Sequence, residues 1–126
     1  MTLFIRVIAR MAFAGAIAAS VGNLAHAAGA LAIGACGTYG FAYDYARADA
    51  AHGEAMRKCS GAGCRVVADM KRNCAAFAVD MRNVCGSYGF AAASRLGPAQ
   101  NTALRQCYSN GGRDCVIRAF VCDGKG

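Results

Sequence analysis

No uncharged apolar run in this 126-residue chain reaches the roughly 20 residues a membrane-spanning helix needs. The best candidate, Met11–Ala25, is interrupted by Val21-Gly22-Asn23. Tryptophan is absent, proline occurs once and histidine twice. There is no C-x-x-C pair, which argues against a redox-active dithiol. No G-x-S-x-G elbow is present, and no glycine loop ends in Lys-Ser/Thr to hold a phosphate. Acidic residues number seven against 14 Lys+Arg, for a net charge of +7. None of the acids pairs in the manner of glycosidase carboxylates, which face each other across a substrate. What is abundant is hydrophobic content, 56%, with eight cysteines and sixteen glycines. That content excludes disorder, and the length allows one domain.

The N-terminus reads as an address. Arg6 and Arg10 form a basic region, Met11–Ala25 is uncharged and mostly apolar, and Ala25-His26-Ala27 supplies small residues around a cleavage point. These are the three parts of a secretory signal peptide, expected over residues 1–27. Cleavage leaves residues 28–126 as one exported domain with no transmembrane segment, twelve Lys+Arg against seven Asp+Glu, and all eight cysteines. The expected location is secreted or periplasmic. An even cysteine count in a small exported chain reads as a disulfide framework.

The exported part is a duplication. Cys36-Gly37-Thr38-Tyr39-Gly40-Phe41-Ala42 matches Cys85-Gly86-Ser87-Tyr88-Gly89-Phe90-Ala91, and Ala55–Cys59 matches Ala103–Cys107. Cys64 aligns with Cys115 and Cys74 with Cys122. Repeat one covers about 30–74 and repeat two about 75–123. Each reads ββαβ: Tyr/Phe-rich and apolar runs bounded by Gly, Asn and Asp predict strands. Ala48, Ala51, Ala55 and Cys59 make a helical stripe within Arg47–Cys59. A second helix is predicted over Gly97–Cys107, with Leu96, Ala103, Leu104 and Cys107 inward and Pro98 in the first turn. Alternation puts Cys64, Val66, Ala68 and Met70 on one strand face, and Cys115, Ile117, Ala119 and Val121 on another. The expected fold is α+β: a pseudo-symmetric two-layer sandwich, an antiparallel-rich sheet with two helices on one face, stabilised by disulfides.

Cys59 ends the first predicted helix and Cys64 opens the next strand, and Cys107 and Cys115 hold the equivalent posts. Short loops can bring each pair within bonding reach, so Cys59–Cys64 and Cys107–Cys115 are expected. Cys36–Cys85 and Cys74–Cys122 are expected to cross-link the two halves about their pseudo-twofold. Cys59-x4-Cys64 near His52 resembles half a zinc site, but the second half lacks that spacing, so no metal and no cofactor is expected.

His52 is the one histidine outside the leader, and its simplest role is that of a helix surface residue. A small hydrolase would have to be built on His52 or Glu54, and no catalytic residue is assigned. Tyr39, Phe41, Tyr43 and Tyr45 alternate onto one strand face, while repeat two keeps only Tyr88 and Phe90. That asymmetry marks Tyr43 and Tyr45 as candidate binding residues. Lys71, Arg72 and Arg82 flank a central hairpin and are candidates for a basic patch. The positive balance favours an anionic envelope component or a protein partner. An exported chain with no recognition motif argues against nucleic acid.

Gly61-Ala62-Gly63-Cys64-Arg65-Val66-Val67 and Asn73-Cys74-Ala75-Ala76, with the tyrosine-glycine strands, resemble the bacterial domain-of-unknown-function family numbered 4189 over about Ala30 to Asp123. The resemblance implies a small exported protein with a duplicated core. It implies no enzymatic activity and transfers no functional residue. The family's mycobacterial members include secreted effectors that act in host cells. This chain departs in lacking the tryptophan that many members carry, and in adding Cys36 and Cys85, which favours their mutual pairing. The functional expectation is a non-enzymatic binding module. The alternative is a secreted effector, or an inhibitor or immunity-type protein acting on an envelope enzyme or host target.

Overall fold

The computed structural model describes residues 27–124. The expected leader, Ala27 apart, lies outside the described residues. Repeat one contributes β1 (Ala28–Ile33), β2 (Tyr39–Tyr45), α1 (Ala48–Lys58) and β3 (Arg65–Lys71). Repeat two contributes β4 (Cys74–Asp80), β5 (Tyr88–Ala93), α2 (Leu96–Ser109) and β6 (Cys115–Cys122). The fold is α+β, and each repeat forms its own antiparallel sheet. Strand orders are β2-β1-β3 and β5-β4-β6, so each repeat's first strand is central.

The layering differs from the expected single sheet with both helices on one face. There are two sheets and four layers: α1, the first sheet, the second sheet, α2. The central strands show why. β1 and β4 carry almost no polar side chain on either face, and every residue of β4 is buried. Apolar runs without alternation demand cover on both sides. Leu31 and Ile33 of β1 meet Phe77 and Val79 of β4 in a core made by both sheets, with Ala68, Met70, Ala119 and Val121. The opposite faces are lined by alanine. Ala30, Ala32 and Ala42 pack on Ala51 and Ala55 of α1, and Ala76 and Ala78 pack on Ala99 and Ala103 of α2. Large side chains therefore space the two sheets, and small ones let each helix lie close. Ala48, expected in the α1 stripe, is exposed at its first turn, and Ala99 joins the inner face of α2.

Three bulges break the expected alternation. Pairing of β1 with β3 shifts between Leu31 and Ala32, and that of β4 with β6 between Phe77 and Ala78. The extra residues are Val67 and Arg118, at equivalent places in the two repeats. A bulge reverses the facing of everything beyond it. Val66 and Ile117 consequently face their helices, whereas Ala68, Met70, Ala119 and Val121 face between the sheets. The third bulge, in β2, falls at Asp44, whose φ is 59°.

Four disulfides are present: Cys36–Cys85, Cys59–Cys64, Cys74–Cys122 and Cys107–Cys115. Cys59–Cys64 and Cys107–Cys115 tie each helix end to the strand that follows. Cys36–Cys85 joins the two repeats. Cys74–Cys122 does not, contrary to expectation: Cys74 opens β4 rather than closing β3, and lies directly opposite Cys122 within the second sheet. The corresponding pair in the first sheet is Ala28 opposite Lys71.

Candidate binding surface at the sheet edges

The Tyr-Gly-Phe motif does two jobs in each repeat. A Cβ on Gly40 would run into the Ala55 carbonyl oxygen of α1, and one on Gly89 into the Ala103 carbonyl oxygen of α2. Each glycine is therefore the point where helix backbone rests on strand backbone. The flanking Tyr and Phe turn the other way, toward the flank between the sheets.

There the rings form two ladders. On β2, Tyr39, Phe41 and Tyr43 stack with successive centroids 6.2 and 6.3 Å apart. On β5, Tyr88 and Phe90 are 6.4 Å apart, with Phe77 meeting Tyr88 edge-on. Cations lie over both. The guanidinium of Arg118 in β6 sits 5.7 Å from the Tyr39 ring, and that of Arg65 in β3 sits 5.8 Å from Phe90. Each repeat thus lends an arginine to the other's aromatic strand. Arg118 Nε also donates to the Gly37 carbonyl (3.2 Å), and Arg65 Nη2 to the Tyr88 hydroxyl (3.1 Å). Lys58, at the end of α1, places its ammonium 6.0 Å from Phe41. Such contacts are worth about 0.5–1 kcal/mol each at exposed sites.

The two candidate tyrosines separate. Tyr43 ends the β2 ladder and is 51% exposed. Tyr45, beyond the Asp44 bulge, lies on the opposite face against the α1 cluster. Lys71 and Arg72 stand at the β3–β4 turn, while Arg82 lies in the β4–β5 connection. The length of β4, about 20 Å at ~3.4 Å per residue, separates these groups. They do not form one patch. Arg65, Lys58 and Arg118 were not singled out from the sequence. Arg118 could have been noticed as a charge inside an otherwise apolar strand.

Other polar groups are held structurally. Asp123 is fully buried, and its two oxygens accept the Arg72 and Asn73 amides at 2.9 Å, clasping the turn that joins the repeats. Asp80 accepts the amides of Arg82, Arg113 and Asp114. Those bonds, Arg82's foremost, hold its carboxyl below the usual aspartate range against the opposing effect of burial. His52 on α1 bonds Asp69 on β3, a pairing that sequence did not reveal. Glu54 is bound by Arg57, which lowers its pKa and raises that of Arg57. All eight cysteines are bonded, and no metal-ligating cluster occurs among the described residues.

A family model described as a domain of unknown function, DUF4189, matches residues 28–122. The chain belongs to that family. No curated protein and no solved structure matches it. The match covers both repeats, so both aromatic ladders and all four disulfides lie within the DUF4189 domain. No helix among the described residues of this DUF4189 chain is long and apolar enough to cross a membrane.

Proposed function

We propose that this is an exported, disulfide-stabilised binding module that works without catalysis. Its contact surface is the β2 flank: Tyr39, Phe41 and Tyr43 with Lys58 and Arg118. The observation that carries this reading is the ring ladder itself, three stacked aromatics at a sheet edge with two cations over their faces. Aromatic rings and arginine supply large contact area at little conformational cost, and they dominate protein interfaces. The cations favour a partner with acidic or other anionic groups. Four disulfides and the sequence of the leader support an oxidising destination, outside the cytoplasm. Lys71 and Arg72 provide a second, separate cationic site at the far end of β3.

The test is a pull-down from envelope and culture extracts with the oxidised protein, run beside a Tyr43→Ser/Arg118→Ser variant and washed at low and high salt. The module reading expects a discrete partner held by the parent and lost by the variant. Equal recovery by both proteins would remove the β2 flank from consideration. Retention of polyanions alone, released as salt screens the charges, would reduce the surface to a general electrostatic one.

A further inference from the structure

Two three-stranded sheets present four edges, and three are closed, two by bulges and one by side-chain caps. β3 and β6 carry mid-strand bulges at Val67 and Arg118, which interrupt their ladders. β5 is capped by side chains of α2. Gln106 Oε1 accepts the Phe90 amide at 3.1 Å, and Asn110 Nδ2 donates to the Tyr88 carbonyl at 2.8 Å. Those bonds identify Tyr88 and Phe90 as residues whose N–H and C=O point away from β4, as alternation in an antiparallel strand requires.

β2 keeps the same register: Ile33 faces Tyr39 and Leu31 faces Phe41, as Val79 faces Tyr88 and Phe77 faces Phe90. The main-chain groups of Tyr39 and Phe41 therefore point outward too. No cap covers them among the described residues. One residue before the helix-end cysteine, repeat two has Gln106 and repeat one has Lys58; α2 runs on to Ser109 and so brings Asn110 to its edge strand, whereas α1 stops at Lys58 and the chain turns off to bond the Ala35 amide through the Ala62 carbonyl. An ammonium donates and cannot accept, so Lys58 cannot satisfy the Phe41 amide. β2 pairs regularly with β1 from Tyr39 to Ala42, without the mid-strand bulge of β3 and β6.

Resting on the module reading above, we infer that β2 is a strand-addition site, and that its occupant is an extended segment of a partner polypeptide alternating apolar and acidic residues. The backbone of that segment pairs with the outward groups of Tyr39 and Phe41. Its apolar side chains lie against the ring ladder, and its acids meet Lys58, whose ammonium reaches from the end of α1 to 6.0 Å from the Phe41 ring and shares Glu54 with Arg57. Charge selects this occupant over a second copy of the chain. Edge-to-edge pairing of two β2 strands would bring together two Glu54–Arg57–Lys58 clusters, each of net charge +1 with Lys58 Nζ 3.6 Å from Glu54, and these like charges oppose that pairing.

The probe is a displayed library of short linear peptides, panned against the disulfide-intact protein and followed by NMR of the backbone amides. Enriched peptides are expected to alternate apolar and acidic residues. They are expected to shift the Tyr39 and Phe41 amides and to slow the exchange of the Phe41 amide at least tenfold. Lys58→Gln, which transplants the Gln106 half of the β5 cap onto the equivalent place before the helix-end cysteine, is expected to weaken binding at least tenfold. Gln106→Lys/Asn110→Ala, which removes that cap, is expected to create a second site on β5 and keeps the idea testable should the first variant misfold. Peptides that perturb other amides and leave Tyr39 and Phe41 unchanged would overturn strand addition while leaving the module reading intact. So would a library that yields no binder, since the pull-down judges the module reading separately. Self-association through β2 without peptide, seen by light scattering, would overturn it in favour of a second copy.

Discussion

Removing the Asp123 carboxylate is expected to loosen the joint between the repeats. Asp123 follows β6, is fully buried, and accepts two amide hydrogen bonds of 2.9 Å from the turn between β3 and β4. It has no salt-bridge partner among the described residues, so these two main-chain amides are the donors that satisfy it. Net contributions for hydrogen bonds to charged groups run about 1.5–3 kcal/mol each. Arg72 is exposed, so water will replace part of one bond. Asp123→Ala should therefore cost about 2–4 kcal/mol. At about 4–8 °C per kcal/mol for a domain of this size, the melting temperature should fall by about 8–30 °C. Asp123→Asn keeps the volume but turns an amide NH2 toward one of the two donors, so it should recover no more than half of the loss. Asp44→Asn is the control: its exposed oxygen accepts a longer 3.3 Å bond from Gly124, and it should stay within about 0.5 kcal/mol. The assay is reversible urea unfolding at neutral pH with all disulfides intact. An Asp123→Ala protein within about 0.5 kcal/mol of the parent would refute the reasoning.

Gly40→Ala and Gly89→Ala should each destabilise by about 1–3 kcal/mol, because the added methyl would meet helix backbone. Gly53→Ala, which meets nothing within 4 Å on α1, should stabilise by about 0.5–1 kcal/mol; equal effects at the three sites in urea unfolding would contradict the packing. The folded-state pKa of Asp80 is depressed, so its contribution is complete above the ordinary aspartate pKa of about 3.9 and lost as pH falls through the folded value. Asp80→Asn should thus flatten the acid limb of the stability profile below about pH 4, and an unchanged limb would count against the amide nest. Cys36→Ser/Cys85→Ser removes a bond closing a separation of 49 residues and should cost about 2–4 kcal/mol in the chain-entropy account. Denaturation midpoints within error of the parent would show that non-covalent packing alone holds the repeats together.

Much of the fold was legible because the chain states it twice. The duplicated Tyr-Gly-Phe strand, the alanine stripes and the helix-end cysteines lead directly to two ββαβ units. The layering was not read, although its cue is present. Ala-Leu-Ala-Ile and Ala-Ala-Phe-Ala-Val alternate small with large rather than polar with apolar, which is how a strand buried on both faces appears. Bulges are harder. Val67 sits in an apolar run where an inserted residue leaves no mark, and so Ala68 and Met70 were grouped on one face with Cys64 and Val66. Asp44 is a bulge of the same kind, which is why Tyr43 and Tyr45 were placed together.

The candidate surface was partly visible. Tyr43 was found from the asymmetry between repeats. The difference that distinguishes the two edges, Lys58 for Gln106 and an α1 that ends too early to offer a counterpart of Asn110, lies outside the strands. It acquires meaning only once the helix ends are seen to reach the strand edges. The arginines that cover the rings come from the opposite repeat in both cases, a relation that no local spacing encodes.

Hydrogen exchange of the free protein tests the central asymmetry most directly. The Phe90 amide, bonded to Gln106, should be protected, and the Phe41 amide should exchange at least tenfold faster under the same conditions. Equal protection of the two would mean that β2 is closed in solution, and would contradict the account.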